Sequence, residues 1–251
     1  MDDLQLLIDL HIGGERQGPG SNAMTRRAME LAGLPPQTHL RIADIGCGTG
    51  AASLILAQDL KADIVAIDFL PDFLAELEAR AESAGVSRHI KTLAASMDAL
   101  PFEDGAFDVI WSEGAIYNIG FETGLRSWHR YLKPGGVLAV SELTWLTRDR
   151  PEELTEHWTR AYSEVGLVSE KVAQIEASGY EVTGYFPLPK DCWLDHYYRP
   201  LQQRCPELLR QHGESEEARA LIDAEQAEIA LYERNADYVS YGFYIARKLP
   251  A

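Results

Sequence analysis

The stretch Asp44-Ile45-Gly46-Cys47-Gly48-Thr49-Gly50 decides how this chain is read. The apolar run 40–45 before the glycines reads as a buried strand, and a helix follows to about residue 60. Gly46 and Gly48 allow a sharp bend that a ligand can approach closely, because neither carries a Cβ. The first turn of the next helix leaves backbone N–H groups unpaired beside that bend. The spacing of Gly46, Gly48 and Ala51 also satisfies the dinucleotide-binding pattern. Asp44 shifts the balance: a carboxylate at the strand tip repels a pyrophosphate but suits a cationic ammonium group. Asp68 ends the next apolar strand, 63–68, where an acidic side chain can accept hydrogen bonds from both hydroxyls of a ribose. The plainer alternative is that both aspartates only cap the helices that follow.

Strands and helices then alternate. Pro71 suits the first turn of a helix reaching about 84, and strands are expected over 90–95 and 107–112. A helix over 122–132 leads to Lys133-Pro134-Gly135-Gly136, read as a tight turn, and to a strand over 137–143. Strands separated by helices of this length imply parallel pairing with right-handed crossovers, hence a doubly wound Rossmann-like α/β sheet. Further helices are expected over 152–165 and 170–178, and a strand over 180–188. The chain closes on a strand over 238–246. The whole predicts one domain with a seven-stranded, mostly parallel sheet whose last strand is antiparallel. Its cofactor-binding core spans 40–146, behind an N-terminal helical cap at 1–34, in which Ser21 caps a helix over 23–32 that Gly33 and Pro35-Pro36 end. A helical insertion at 193–235 precedes the last strand and is expected above the strand ends. Its polar run 207–234 reads as a solvated helix face or as a lid.

Four segments together resemble the class I S-adenosylmethionine (SAM)-dependent methyltransferases. The 44–50 stretch looks like that family's first motif, and Ser96-Met97-Asp98-Ala99-Leu100-Pro101-Phe102 like the segment flanking adenine. Phe107-Asp108-Val109-Ile110-Trp111-Ser112-Glu113-Gly114 resembles the fourth-strand motif, and Leu132-Lys133-Pro134-Gly135-Gly136 the turn before strand five. The segments Glu113-Gly114-Ala115-Ile116-Tyr117-Asn118-Ile119-Gly120-Phe121 and Arg16-Gln17-Gly18-Pro19-Gly20-Ser21 are similar to a bacterial subgroup acting on small molecules, its acceptors unassigned. The resemblance covers 40–142 and, more loosely, the rest. It implies S-adenosyl-L-methionine as cofactor, S-adenosylhomocysteine as product and a small-molecule methyl acceptor. It also implies cofactor contacts from Asp44, Gly46, Cys47, Gly48, Asp68, Phe69, Ser96, Met97, Asp98 and Glu113, with Asp98 at the exocyclic amine. The loop Gly18, Pro19, Gly20, Ser21 would fold over the cofactor, or else it is a turn before a helix.

Methyl transfer from a sulfonium is an in-line displacement needing positioned partners and excluded water, and a general base only if the acceptor must lose a proton. Glu113 and Tyr117, after the fourth strand, are the catalytic candidates; His129, His157 and His196 are weaker ones. Tyr117, Asn118, Trp145, Trp193, His196 and Tyr197 are the expected acceptor-pocket residues, Tyr198 lying in the same aromatic cluster. Such a pocket would suit an amine or a flat aromatic compound, although an aromatic cluster can equally pack an inserted helix. The competing functions are a non-catalytic SAM-binding sensor or scaffold and a nicotinamide-dependent oxidoreductase; the latter leaves Asp44 and Asp98 unexplained.

Composition narrows the field. At 251 residues with 46% hydrophobic and 25% charged, the chain is an ordinary globular sequence. Its 39 acidic and 23 basic residues give a net charge of −16, which repels nucleic acid and anionic membranes. No stretch approaches the ~20 apolar residues of a bilayer span. The start Met1-Asp2-Asp3-Leu4 lacks the pattern of a secretory signal, so the cytoplasm is the expected location. Cys47, Cys192 and Cys205 are too scattered for a disulfide framework or a zinc site, and too separated for arsenite methylation. No metal is expected. The oligomeric state stays open, a homodimer among the options.

Overall fold

Strand β1 (Leu40–Ile45) is buried at every position but Arg41, as a central strand covered on both faces must be. Its side chains alternate between two cores: Ile42 joins one apolar cluster, Ala43 and Ile45 the other. The computed structural model describes residues 3–35 and 37–250. Met1, Asp2 and Pro36, which carried parts of the sequence reading, lie outside the described residues.

The remaining strands are β2 (Ala62–Asp68), β3 (Ile90–Ala94), β4 (Phe107–Glu113), β5 (Leu132–Trp145), β6 (Gly166–Leu167), β7 (Tyr180–Pro187) and β8 (Val239–Lys248). They form one sheet in the order β3-β2-β1-β4-β5-β8-β7, with β6 pairing β5. The pairs from β3 to β5 are parallel, and β8 runs antiparallel to both β5 and β7. The order reverses between β1 and β4, so a crevice opens beyond their C-terminal ends, where ligands bind in open α/β sheets.

Helices α3 (Ala51–Asp59), α4 (Pro71–Ser83), α5 (Phe121–His129), α6 (Glu152–Ala161) and α7 (Val168–Ala177) follow β1, β2, β4, β5 and β6 in turn. Before the sheet come α1 (Asp3–Ile12) and α2 (Asn22–Leu31), the latter capped as expected by Ser21, whose Oγ accepts the Met24 amide at 3.3 Å. Between β7 and β8 lie α8 (Lys190–Trp193), a π-helical turn (Leu194–Tyr198), α9 (Arg199–Gln211) and α10 (Glu216–Asn235). None of the described helices is long and apolar enough to cross a membrane.

Two expectations are corrected. The turn at 133–136 lies inside β5: Phe107 pairs with Leu132 and Val109 with Val137, so the ladder resumes past the looped-out residues. Gly135 takes the positive φ of +74° that the loop requires, and Lys133 Nζ ties it to Asp108 at 2.7 Å. The sheet also has eight strands, not seven, because β6 adds two residues against Thr144 and Trp145. A strand that short has no periodicity to read.

The insertion begins at Lys190 and packs as an aromatic core. Trp193 stacks on Tyr232 at 4.5 Å between centroids and donates from Nε1 to Ser240 Oγ at 3.0 Å, joining α8 to α10 and β8. On the other side of the sheet, α7 is fastened to β5 by Lys171 Nζ and Glu142 Oε1 at 2.8 Å, both side chains 0% exposed.

Candidate functional site

A cavity of about 810 Å³ occupies the crevice. Its floor is the glycine bend. Gly46 and Cys47 donate their amides to Ile67 O at 2.8 and 2.9 Å, which pins the bend to the tip of β2. Gly46 has φ +73°, and a Cβ there would stand 2.3 Å from Ala115 Cβ; one at Gly48 would meet Gln17 Oε1 at the same distance. Gly46 needs the absence of a side chain for fit as well as for backbone angle, while at Gly48 the positive φ of +54° is the requirement.

Two carboxylates flank the bend. Asp44, 1% exposed, accepts from Ser53 Oγ at 2.6 Å. Burial pushes its pKa up to about 7, against the pull of the Ser53 hydroxyl. Asp68 accepts the Gly48 amide on one oxygen and the Leu70 amide on the other, each at 2.9 Å, and burial raises its pKa too. Asp44 is thus a destabilising charge in the ligand-free protein. A carboxyl whose folded pKa is raised costs stability as pH climbs from its ordinary value to the folded one. Ionising Asp44 costs on the order of 4 kcal/mol across that window. Asp44→Asn is expected to match the wild type near pH 4 and to exceed it in Tm at pH 8. Parallel melting curves from pH 4 to 8 check this, and superimposable profiles would refute it.

The N-terminal cap closes over the bend. Gln17 Oε1 accepts the Thr49 amide at 2.9 Å, and Arg80 of α4 donates to Thr49 Oγ1 at 2.8 Å and Gly14 O at 3.0 Å. Arg16 reaches Glu113 Oε2 at 2.6 Å, and the other Glu113 oxygen accepts from Thr25 Oγ1 at 2.8 Å and Trp111 Nε1 at 2.9 Å. Glu113 therefore ties the cap to the sheet, its carboxylate engaged by three side-chain donors. Gly20 lies against the Arg16 guanidinium, where a Cβ would come within 2.9 Å of Nη1.

Of the predicted residues, the cavity lining brings together Gly18, Pro19, Asp44, Gly46, Cys47, Gly48, Asp68, Phe69, Ser96, Met97, Glu113, Tyr117, Asn118, Trp193 and Tyr197. Five lie outside that lining. Gly20 and Ser21 serve Arg16 and the α2 cap instead. Asp98 is exposed and bonded to Ser96 Oγ at 2.5 Å, a local turn that holds it off the cavity wall. Trp145 is buried in the core, with the Arg150 guanidinium 4.2 Å from its ring centroid. His196 is exposed: adjacent residues of a helical turn point different ways, and Tyr197 takes the inward position, stacked on His11 at 6.2 Å. His129 also sits elsewhere, 3.3 Å from Gly179 O.

The sequence reading missed His11, Gln17, Trp158, Tyr162, Glu225, Glu228 and Tyr241, all of which line the cavity. Burial, then Arg204, lowers the His11 pKa to about 4, leaving it neutral. Burial, then Glu228, pushes Glu225 up to about 7.

Residues 42–136, which carry the glycine bend and both acidic strand tips, match the family described as "Methyltransferase domain". Among curated relatives, the chain is 38% identical over 119 residues to a demethylmenaquinone methyltransferase of Thermus thermophilus, covering 47% of this chain and 52% of that one. It is 32% identical over 140 residues to a malonyl-[acyl-carrier protein] O-methyltransferase of Enterobacter lignolyticus, covering 55% and 52%. The chain thus spans about half the length of these relatives. A SAM-dependent methyltransferase from Geobacter sulfurreducens, solved with S-adenosyl-L-homocysteine, superposes with TM-score 0.84 at 20% identity, over 96% of this chain and 97% of that one. That likeness extends the shared fold to nearly the full length.

Proposed function

We propose that this protein transfers a methyl group from S-adenosylmethionine to a small molecule and releases S-adenosylhomocysteine. The observation that carries this reading is the pair Asp44 and Asp68 at neighbouring strand tips, flanking a bend whose two glycines both take a positive φ and whose Gly46 leaves no room for a Cβ. The residues fit the cofactor: Asp44 suits the ammonium of its methionine part, which would also relieve the cost of a buried charge. Asp68 suits the ribose hydroxyls. Phe69, Ser96 and Met97 line the adjoining wall, where a nucleobase would rest. The bound cofactor supplies an already activated methyl on a sulfonium. The chain's task is then to align the acceptor and keep water out, which the clamped cap serves.

Incubation of the protein with methyl-labelled S-adenosylmethionine and the small-molecule fraction of a cell extract tests the reading. Label should enter a metabolite with matching release of S-adenosylhomocysteine. Cofactor binding without label transfer would support a sensor instead, and no binding heat with either nucleoside would remove the reading altogether.

A further inference from the structure

The proposed function leaves part of the cavity unexplained: the wall built by α6, the insertion and β8. Trp158, Tyr162, Trp193, Tyr197 and Tyr241 line it, together with Glu225 and Glu228, one turn apart on α10. Glu228 accepts from Tyr198 Oη at 2.9 Å and stands 3.7 Å from His157 Nε2. The Glu225 carboxylate makes no hydrogen bond or ion pair among the described residues, and the charge of Glu228 acts on it. The basic groups around this wall do not neutralise it. His11 of α1 is neutral, Arg16 is spent on Glu113, and Arg204 of α9 donates from Nε to Leu10 O at 2.9 Å without pairing either glutamate.

A second observation is independent of charge. Trp158 is only 7% exposed, lines the cavity, and its Nε1–H has no hydrogen-bond partner. A buried indole N–H ordinarily finds an acceptor, so this wall is built to meet an acceptor atom supplied from outside the chain, on a part of the ligand other than its ammonium, which can only donate. Two carboxylates in a partly desolvated wall repel one another, and aromatic faces attract cations. Carboxylates, phosphates and phosphate esters would meet repulsion at the same place.

We infer that the methyl acceptor is a small molecule bearing a basic amine, docked as its ammonium against Glu225 and Glu228 with the aromatic wall beside it. The inference rests on the proposed function, since it names the substrate class of that site.

The test is calorimetry at pH 7.5 on protein saturated with S-adenosylhomocysteine. Matched probes are titrated: phenethylamine, 2-phenylethanol and phenylacetate, then hexylamine, hexan-1-ol and hexanoate. The amines should bind about tenfold or more tighter than the alcohols, with the acids weakest. Glu225→Gln/Glu228→Gln should erase the preference for amines while leaving S-adenosylhomocysteine affinity intact. Its Tm should hold or rise, because two repelling charges are removed. Alcohols or acids binding as well as the amines would overturn the inference. So would binding of no amine, or amine affinity that survives the double substitution. If S-adenosylhomocysteine binds and the amines fail, only this inference falls; if it does not bind, the proposed function falls with it.

Discussion

Lys171→Met should lower the stability of this protein by about 3–5 kcal/mol, roughly 10 °C in Tm for a chain of this size. The ammonium of Lys171 is fully buried 2.8 Å from Glu142 Oε1, and 4.4 Å from the centroid of Phe121. Lys171 is the principal compensation of the Glu142 charge, by attraction and by hydrogen bond, with the Tyr162 hydroxyl a lesser one. Removing the lysine strands a carboxylate in the core, and a methionine of similar volume restores packing but not charge. The pH dependence has a definite sign. Burial raises the Glu142 pKa even with Lys171 opposing it, and deleting Lys171 raises it further. A carboxyl raised in the folded state loses stability as pH increases, so the deficit should be largest at pH 8 and shrink toward pH 4. Adding Glu142→Gln to the lysine variant should recover most of the loss. Thermal unfolding of both variants at pH 5 and pH 8 decides it. A deficit that does not change with pH would mean lost packing rather than a stranded charge.

Asp68→Ala is expected to weaken binding of S-adenosylmethionine about a hundredfold, the sum of two charge-assisted hydrogen bonds to ribose. The carboxylate also braces the Gly48 and Leu70 amides, so the alanine variant loosens the bend that would carry the ligand. Asp68→Asn keeps one acceptor and should fall between the two. The ligand-free fold should tolerate both substitutions, because burial already penalises this charge and its removal offsets part of the lost bracing. Calorimetry with S-adenosylmethionine and S-adenosylhomocysteine gives the numbers. A change below about fivefold in the alanine variant would take Asp68 out of the binding site.

The sheet was legible because β1, β2 and β4 are largely buried and read as mostly apolar runs, each followed by punctuation that only a turn explains. The glycine-bend side of the cavity was legible for a related reason: Asp44, Gly46, Gly48 and Asp68 sit at fixed offsets from strand ends, and the offset alone places them. The opposite wall was not. Helix α10 carries charge around most of its circumference, so nothing in its periodicity separates Glu225 and Glu228, which line the cavity, from Glu216 and Glu217, which are exposed in its first turn. Trp145 ends the fifth strand and Trp158 lies on the helix after it, yet only the second reaches the cavity. His196 and Tyr197 differ by one step of a π-helical turn, and that step decides which of them faces inward.

The insertion between β7 and β8 enters and leaves at one place, where the Leu188 amide bonds Tyr241 O at 2.8 Å. The segment from Lys190 to Asn235 is fastened to the body by side chains, Trp193 to Ser240 and Arg204 to Leu10 among them, while the strands on either side stay zipped to each other. Rewriting those residues would change what sits opposite the glycine bend without touching a rung of the ladder. The insertion lies wholly outside the 42–136 segment that carries the family match, so kinship read from that segment is blind to any change in this wall.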